Sequence, residues 1–106
     1  MDLLSRPDRP TAIFAANDLQ ALGVYQAAWR LGLRIPTDVS VVGFDELPLA
    51  ALVDPPLTTV HQPPVEMAVV ATTLALALSR GERTPRRGLE LATTLTVRQS
   101  TAPPGA

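Results

Sequence analysis

Cysteine is absent from the 106 residues, which excludes disulfides and thiolate metal sites and leaves the redox compartment open. The single histidine, His61, does not make a zinc site by itself, since such sites take several nitrogen or sulfur ligands. The glycines form neither GxGxxG nor GxxxxGK[ST], so the chain lacks the usual backbone cradle for a nucleotide phosphate, and this counts against an enzyme. Basic excess is missing too. With a formal net charge of -1, nothing provides the footprint that sequence-independent phosphate binding requires, and the chain alone is not expected to hold duplex DNA. No long hydrophobic run occurs: the longest uncharged apolar stretch, residues 67–78, is shorter than the roughly 20 residues of a spanning helix and contains Thr72 and Thr73, so it reads as a buried helix. The start, MDLLSRP, has no basic region followed by a long apolar run, which argues against a secretory signal and for a cytoplasmic location.

What is present argues for folding. A hydrophobic fraction of 46% against 18% charged residues suits a packed chain of one small domain, and the 11 prolines sit mostly between periodic segments. The organising stretch is residues 39–46, VSVVGFDE, a β-branched run ending on glycine, an aromatic residue and two carboxylates. Gly43 lets the backbone turn or pack closely as the strand leaves the sheet, and Asp45 arrives at its carboxyl end, where open α/β sheets bind ligands.

The other segments frame this strand. Residues 1–9 resemble the frayed end of a helix. Residues 11–16, TAIFAA, suit a strand covered on both faces, ending on Asn17 and Asp18 as the cap of the next helix. Apolar residues at helical spacing (Leu22, Tyr25, Trp29; Ala21, Ala28) predict a helix from residue 19, stopped by Gly32 in a left-handed cap. Strand, helix and strand in close succession imply a parallel pair with a right-handed crossover. Residues 47–54 read as a loop or helical turn and residues 57–61, LTTVH, as a short strand. Pro64 opens a second helix over residues 65–79, apolar nearly all round and ended by Gly81, which wants cover on more than one side. Alternation through Leu91, Thr93, Leu95 and Val97 predicts a last strand over residues 89–97, followed by a loose tail at residues 100–106.

Each candidate residue also has a plain structural reading. Asn17 and Asp18 cap a helix, a role worth typically about 1 kcal/mol. His61 reads as a partly buried residue satisfied by backbone groups, with no neighbour that makes a nucleophilic site. Trp29 and Tyr25 read as packing residues. Asp45 and Glu46, adjacent at a strand end, diverge in direction and make a poor acid–base pair. The functional reading gains weight because Asp45 ends the strand next to Asn17, so amide and carboxylate converge on one crevice. Amide donors beside anionic acceptors suit the hydroxyls of a sugar or nucleoside, which both donate and accept; no metal or cofactor is required.

The phrases PTAIFAANDLQALGVYQAAWRLGLRIPTDVSVVGFDE and PPLTTVHQP, in this order and at this spacing, closely resemble the carboxyl-terminal portion of the lactose-repressor and galactose-repressor family of bacterial transcription regulators. The likeness runs over about residues 10–103. It implies part of an effector-binding domain similar to periplasmic sugar-binding proteins: an α/β, three-layer half-domain with a mainly parallel sheet flanked by helices. It further implies that Asn17 and Asp45 contact the effector's hydroxyls, with Gln62 near the pocket, Asp18 supporting the helix start and Glu46 supporting the loop. Leu22, Leu49 and Val53 fall where family members pair into homodimers. The family usually has two aspartates after the glycine–aromatic pair, whereas here the second position is Glu46. The resemblance corresponds to about the last third of such a regulator, so DNA would be reached only through segments outside this chain. The expected division is residues 1–9 as a truncated helix end, 10–100 as effector-domain portion and 101–106 as tail. A fragment of a periplasmic or transport-associated sugar-binding protein of the same fold is the first rival, and an enzyme fragment on a doubly wound sheet the second.

Overall fold

Residue-by-residue alternation in VSVVGF sets up the centre of the sheet, and everything else is placed against it. The computed structural model describes residues 2–82 and 92–104. The elements run α1 (Asp2–Ser5), β1 (Ala12–Phe14), α2 (Asp18–Arg30), β2 (Ser40–Phe44), α3 (Leu49–Leu52), β3 (Thr58–His61), α4 (Pro64–Ser79) and β4 (Thr94–Thr96). The sheet is mixed, in the order β1-β2-β3-β4: β1, β2 and β3 are parallel and β4 is antiparallel to β3. The parallel β1–α2–β2 unit is the one the short connections predict. The chain divides into two compact units, Met1–His61 with Thr94–Ala106 and Gln62–Thr93, where composition suggested one small domain.

In the first unit, Val39 and Val41 point to the same side and are fully buried beneath Ala21, Tyr25, Ala27 and Ala28 of α2. Small residues at these helical positions let α2 lie close to the strand. Tyr25 is the largest side chain in this core, and its hydroxyl donates to the Pro55 carbonyl at 2.7 Å. Burial pushes its pKa from 10.0 up to about 12. Trp29 meets the Tyr25 ring edge-on, with centroids 6.1 Å apart, yet stays 59% exposed, so only the tyrosine is a true packing residue. The helix ends as its sequence predicts: Gly32 sits at φ 72, its N–H bonds the Trp29 carbonyl, and the Leu33 N–H reaches back to Ala28.

Three expectations fail in this unit. Strand β1 is not covered on both faces: Ile13 is half-buried on one face, while Ala12 and Phe14 on the other are exposed, Phe14 by 65%. A short apolar run shows what a strand can bury, but whether a neighbour covers it is decided elsewhere in the fold. The tail is not loose. Ser100 is fully buried, with its hydroxyl donating to the Val41 carbonyl and accepting the Thr58 N–H, and Ala102 exchanges hydrogen bonds with the Ser40 side chain. A hydroxyl and backbone groups are enough to dock a segment whose composition looks featureless. The last strand is shorter than expected, Thr94–Thr96, with residues 83–91 outside the described ones, and Leu95 and Val97 are exposed.

The second unit contains α4. Pro64 stands at its first turn, Gly81 at φ 73 follows its end, and the Glu82 N–H closes on the Ala77 carbonyl. The helix was expected to be buried, but none of its residues is. Apolar composition gives a helix the capacity to pack without supplying the surface to pack against.

Candidate effector crevice

Asn17 and Asp45 follow the carboxyl ends of two adjacent parallel strands, β1 and β2. Asn17 is the cap of α2: its backbone is extended and its Oδ1 accepts the Gln20 N–H at 2.8 Å. Its amide nitrogen is a donor that the cap bond does not use. Asp45 is exposed, with φ at 108, and Glu46 follows with φ at 57. These are conformations that side chains adopt at a cost of about 1–3 kcal/mol each and keep only where the surroundings impose them.

The surroundings here do so through three successive amides. The Asp45 N–H donates to the Val60 carbonyl at 2.9 Å, extending the β2–β3 ladder past the end of β2. The Glu46 N–H donates to the Thr59 hydroxyl at 3.3 Å. The Leu47 N–H donates to Asp18 Oδ2 at 2.7 Å, while Asp18 Oδ1 accepts the Thr59 hydroxyl at 2.7 Å. Asp18 is fully buried and is therefore more than support for the helix start: it reaches across from α2 to hold the loop that carries Asp45. Gly43 is part of the same arrangement. A Cβ at this position would land on Asp18 Oδ1 and lie 2.9 Å from Leu57 Cδ2, so the glycine makes room for the carboxylate.

The Glu46 side chain is also engaged. Its Oε1 lies 3.1 Å from the Arg98 guanidinium and its Oε2 lies 2.7 Å from His61 Nδ1. Among the described residues Nδ1 has no hydrogen-bond partner, so His61 stands at ion-pair distance from a carboxylate and not against the backbone groups expected. Arg98 is fixed from its other side, donating to the Leu57 carbonyl at 2.8 Å. Sequence reading missed Thr59 and Arg98, whereas the close packing expected at Gly43 is found, against Asp18 and Leu57. Threonines in a β-rich run and an arginine after a strand carry no periodic signal; only the fold brings them to the loop.

Gln62 follows β3 directly and opens the second unit. Leu22, Leu49 and Val53 are all half-buried; Val53 packs against the core beside Ala50 and Leu57. An open apolar groove of about 760 Å³, lined by Leu3, Leu4, Ile13, Phe14 and Val24 among others, runs beside β1 and α2, away from Asp45. It lacks the convergent polar groups of a sugar site. Among the described residues no acidic or histidine cluster could hold a metal, and no helix is long and apolar enough to cross a membrane.

Comparison with known proteins decides the family. The pattern of the periplasmic binding protein-like domain matches residues 1–101. The chain belongs to that family. Its relatives are bacterial transcription repressors, as the motifs at residues 10–103 imply. The chain is 49% identical over 69 residues to the ribose operon repressor of Escherichia coli strain K12, covering 65% of this chain and 21% of the repressor. Among solved structures, a dimeric Lac repressor with an 11-residue C-terminal deletion superposes with a TM-score of 0.84 at 35% identity, over 99% of this chain and 38% of the repressor. A complex of the transcriptional regulator CelR with cellobiose gives a TM-score of 0.80 at 39% identity, over 89% of this chain and 28% of that one. The chain thus spans only about a fifth to two-fifths of the length of these proteins.

Proposed function

We propose that the chain is the effector-sensing portion of a sugar-responsive bacterial transcription regulator, in which Asn17 and Asp45 contact the hydroxyls of a small effector. Binding, not catalysis, is its chemistry, and the setting is cytoplasmic. The observation that carries this reading is the locked Asp45 loop: a carboxylate is presented at positive φ, beyond a strand end, by amides anchored on Val60, Thr59 and Asp18. A pre-formed acceptor of this kind needs no ordering when a hydroxyl arrives, which favours affinity. The amide of Asn17, beyond the neighbouring strand, complements it as a donor. A homodimer through the surface around Leu22, Leu49 and Val53 belongs to the same reading, as does operator DNA reached through segments outside this chain.

The alternative is a portion of a transport-associated sugar-binding protein. The repressors among the relatives favour the regulator. Titration of the labelled chain with D-ribose, cellobiose and adenosine, followed by amide NMR, tests the binding claim. Shifts centred on Asn17 and Asp45 are expected with at least one of them. Shifts confined to the groove beside β1, or none at all, would reject the crevice as the effector site.

A further inference from the structure

The loop after β2 ends in two adjacent carboxylates, and only one of them faces a ligand in the reading above. Arg98 donates a hydrogen bond to one Glu46 oxygen, and His61 lies at ion-pair distance from the other without hydrogen-bond geometry. Arg98 approaches Oε1 from the segment after β4, and His61 approaches Oε2 from the last residue of β3. The three side chains are 24%, 19% and 42% exposed, so the pairs are partly withdrawn from water and less screened than surface ion pairs. Arg98 cannot swing away freely, because its other nitrogen donates to the Leu57 carbonyl and its backbone N–H donates to the Thr58 hydroxyl. The guanidinium is a fixed post on the sheet, and Glu46 is tied to it.

We infer that Arg98 and His61 are positioning residues for the effector loop, acting through Glu46: they tether its side chain so that the backbone of Glu46 stays at φ 57 and that of the preceding residue, Asp45, at φ 108. Three backbone N–H groups fix residues 45–47 by donating hydrogen bonds to the Val60 carbonyl, the Thr59 hydroxyl and Asp18 Oδ2. The Glu46 side chain adds the lateral restraint that the amides lack. The length of Glu46 matters, since an aspartate is one methylene shorter and would not span both partners from the same backbone. This inference rests on the proposed effector site for its functional meaning, but not for its test.

The test uses the full chain and reads amide hydrogen exchange of Asp45, Glu46 and Leu47 against that of Val41, whose N–H bonds Ser100 in the buried sheet. In Glu46→Gln, Glu46→Asp and Arg98→Met, exchange at residues 45–47 should rise by about tenfold while Val41 is unmoved, as local opening requires. His61→Gln should give a smaller rise, and Arg98→Lys should restore part of the protection. The Glu46→Gln, Arg98→Met double variant should be no looser than the worse single one, because one interaction is lost in each. Strictly additive effects, equal acceleration at Val41, or unchanged loop amides would overturn the assignment. With D-ribose or cellobiose as probe, whichever shifts the Asp45 resonance, affinity should fall in Arg98→Met with the sheet amides unchanged. If neither sugar binds, the effector reading fails while the exchange result still decides the positioning role.

Discussion

Replacing Asp18 by alanine is the most informative single perturbation, because it removes a buried carboxylate that serves two partners. The change deprives the Leu47 N–H and the Thr59 hydroxyl of their acceptor, and each bond is 2.7 Å long. Hydrogen bonds to a charged group contribute roughly 1.5–3 kcal/mol each. Against the sum stands the relief of no longer burying a carboxylate, an effective cost of several kcal/mol. The positive-φ residues Asp45 and Glu46 would then relax, returning some of their strain. A net loss of about 2–4 kcal/mol is expected, and since 1 kcal/mol moves the midpoint by about 4–8 °C in a domain of this size, Tm should fall by at least about 8 °C. Urea denaturation followed by circular dichroism measures the free-energy loss, and a thermal melt the fall in Tm. Thr59→Val should cost less, and the two changes should couple by at least about 1 kcal/mol. Gly43→Ala, which crowds Asp18 Oδ1, should cost about 1–3 kcal/mol in the native background and less once Asp18 is alanine. A loss below about 0.5 kcal/mol for Asp18→Ala, or additivity with Thr59→Val, would refute the claim that this network holds the loop.

Ser100→Ala should destabilise the chain by about 2–3 kcal/mol, because the buried Thr58 N–H loses its acceptor; an effect within about 0.5 kcal/mol in the same urea assay would mean the tail is dispensable. Tyr25 is the single tyrosine, so tyrosinate absorbance should appear near pH 12 and not near 10. Its raised folded-state pKa means the associated stability is fully present below pH 10 and is lost on the order of 2–3 kcal/mol as pH rises from 10 toward 12; titration at the ordinary value would show the hydroxyl to be solvated. The exposed edge strand β1 and the exposed apolar helix α4 predict that the chain self-associates at micromolar concentration. Leu22→Lys should dissolve a specific dimer, whereas Val53 is a poor probe because it also packs in the core; sedimentation as a single monomeric species would contradict the expectation.

The parts of the fold that were legible in the sequence are those set by local chemistry. The Asn17 cap, the Gly32 and Gly81 stops, the VSVVGF strand and the Pro64 start each depend on a few neighbouring residues and stand where those residues place them. Features that depend on distant partners were misread or missed. Exposure of Phe14, burial of Ser100 and the turn of His61 toward Glu46 are all decided by residues far along the chain. The site divides the same way. Asp45 could be nominated as a candidate because strand ends bind ligands in sheets of this kind, but Thr59 and Arg98 give no signal until β3 and the segment after β4 lie beside the loop.

The central claim is that Asp45 is an effector contact presented by a pre-formed loop, and ligand titration of the Asp45→Ala chain tests it most directly. The unaltered chain is titrated with D-ribose, cellobiose and adenosine, and the ligand that moves the Asn17 and Asp45 amides is then titrated into the variant. The account predicts that the response at Asn17 weakens by at least about tenfold, the worth of one charged hydrogen bond, while the amides of Val41 and Leu57 keep their native positions. An unchanged affinity in a variant with an intact sheet would contradict it.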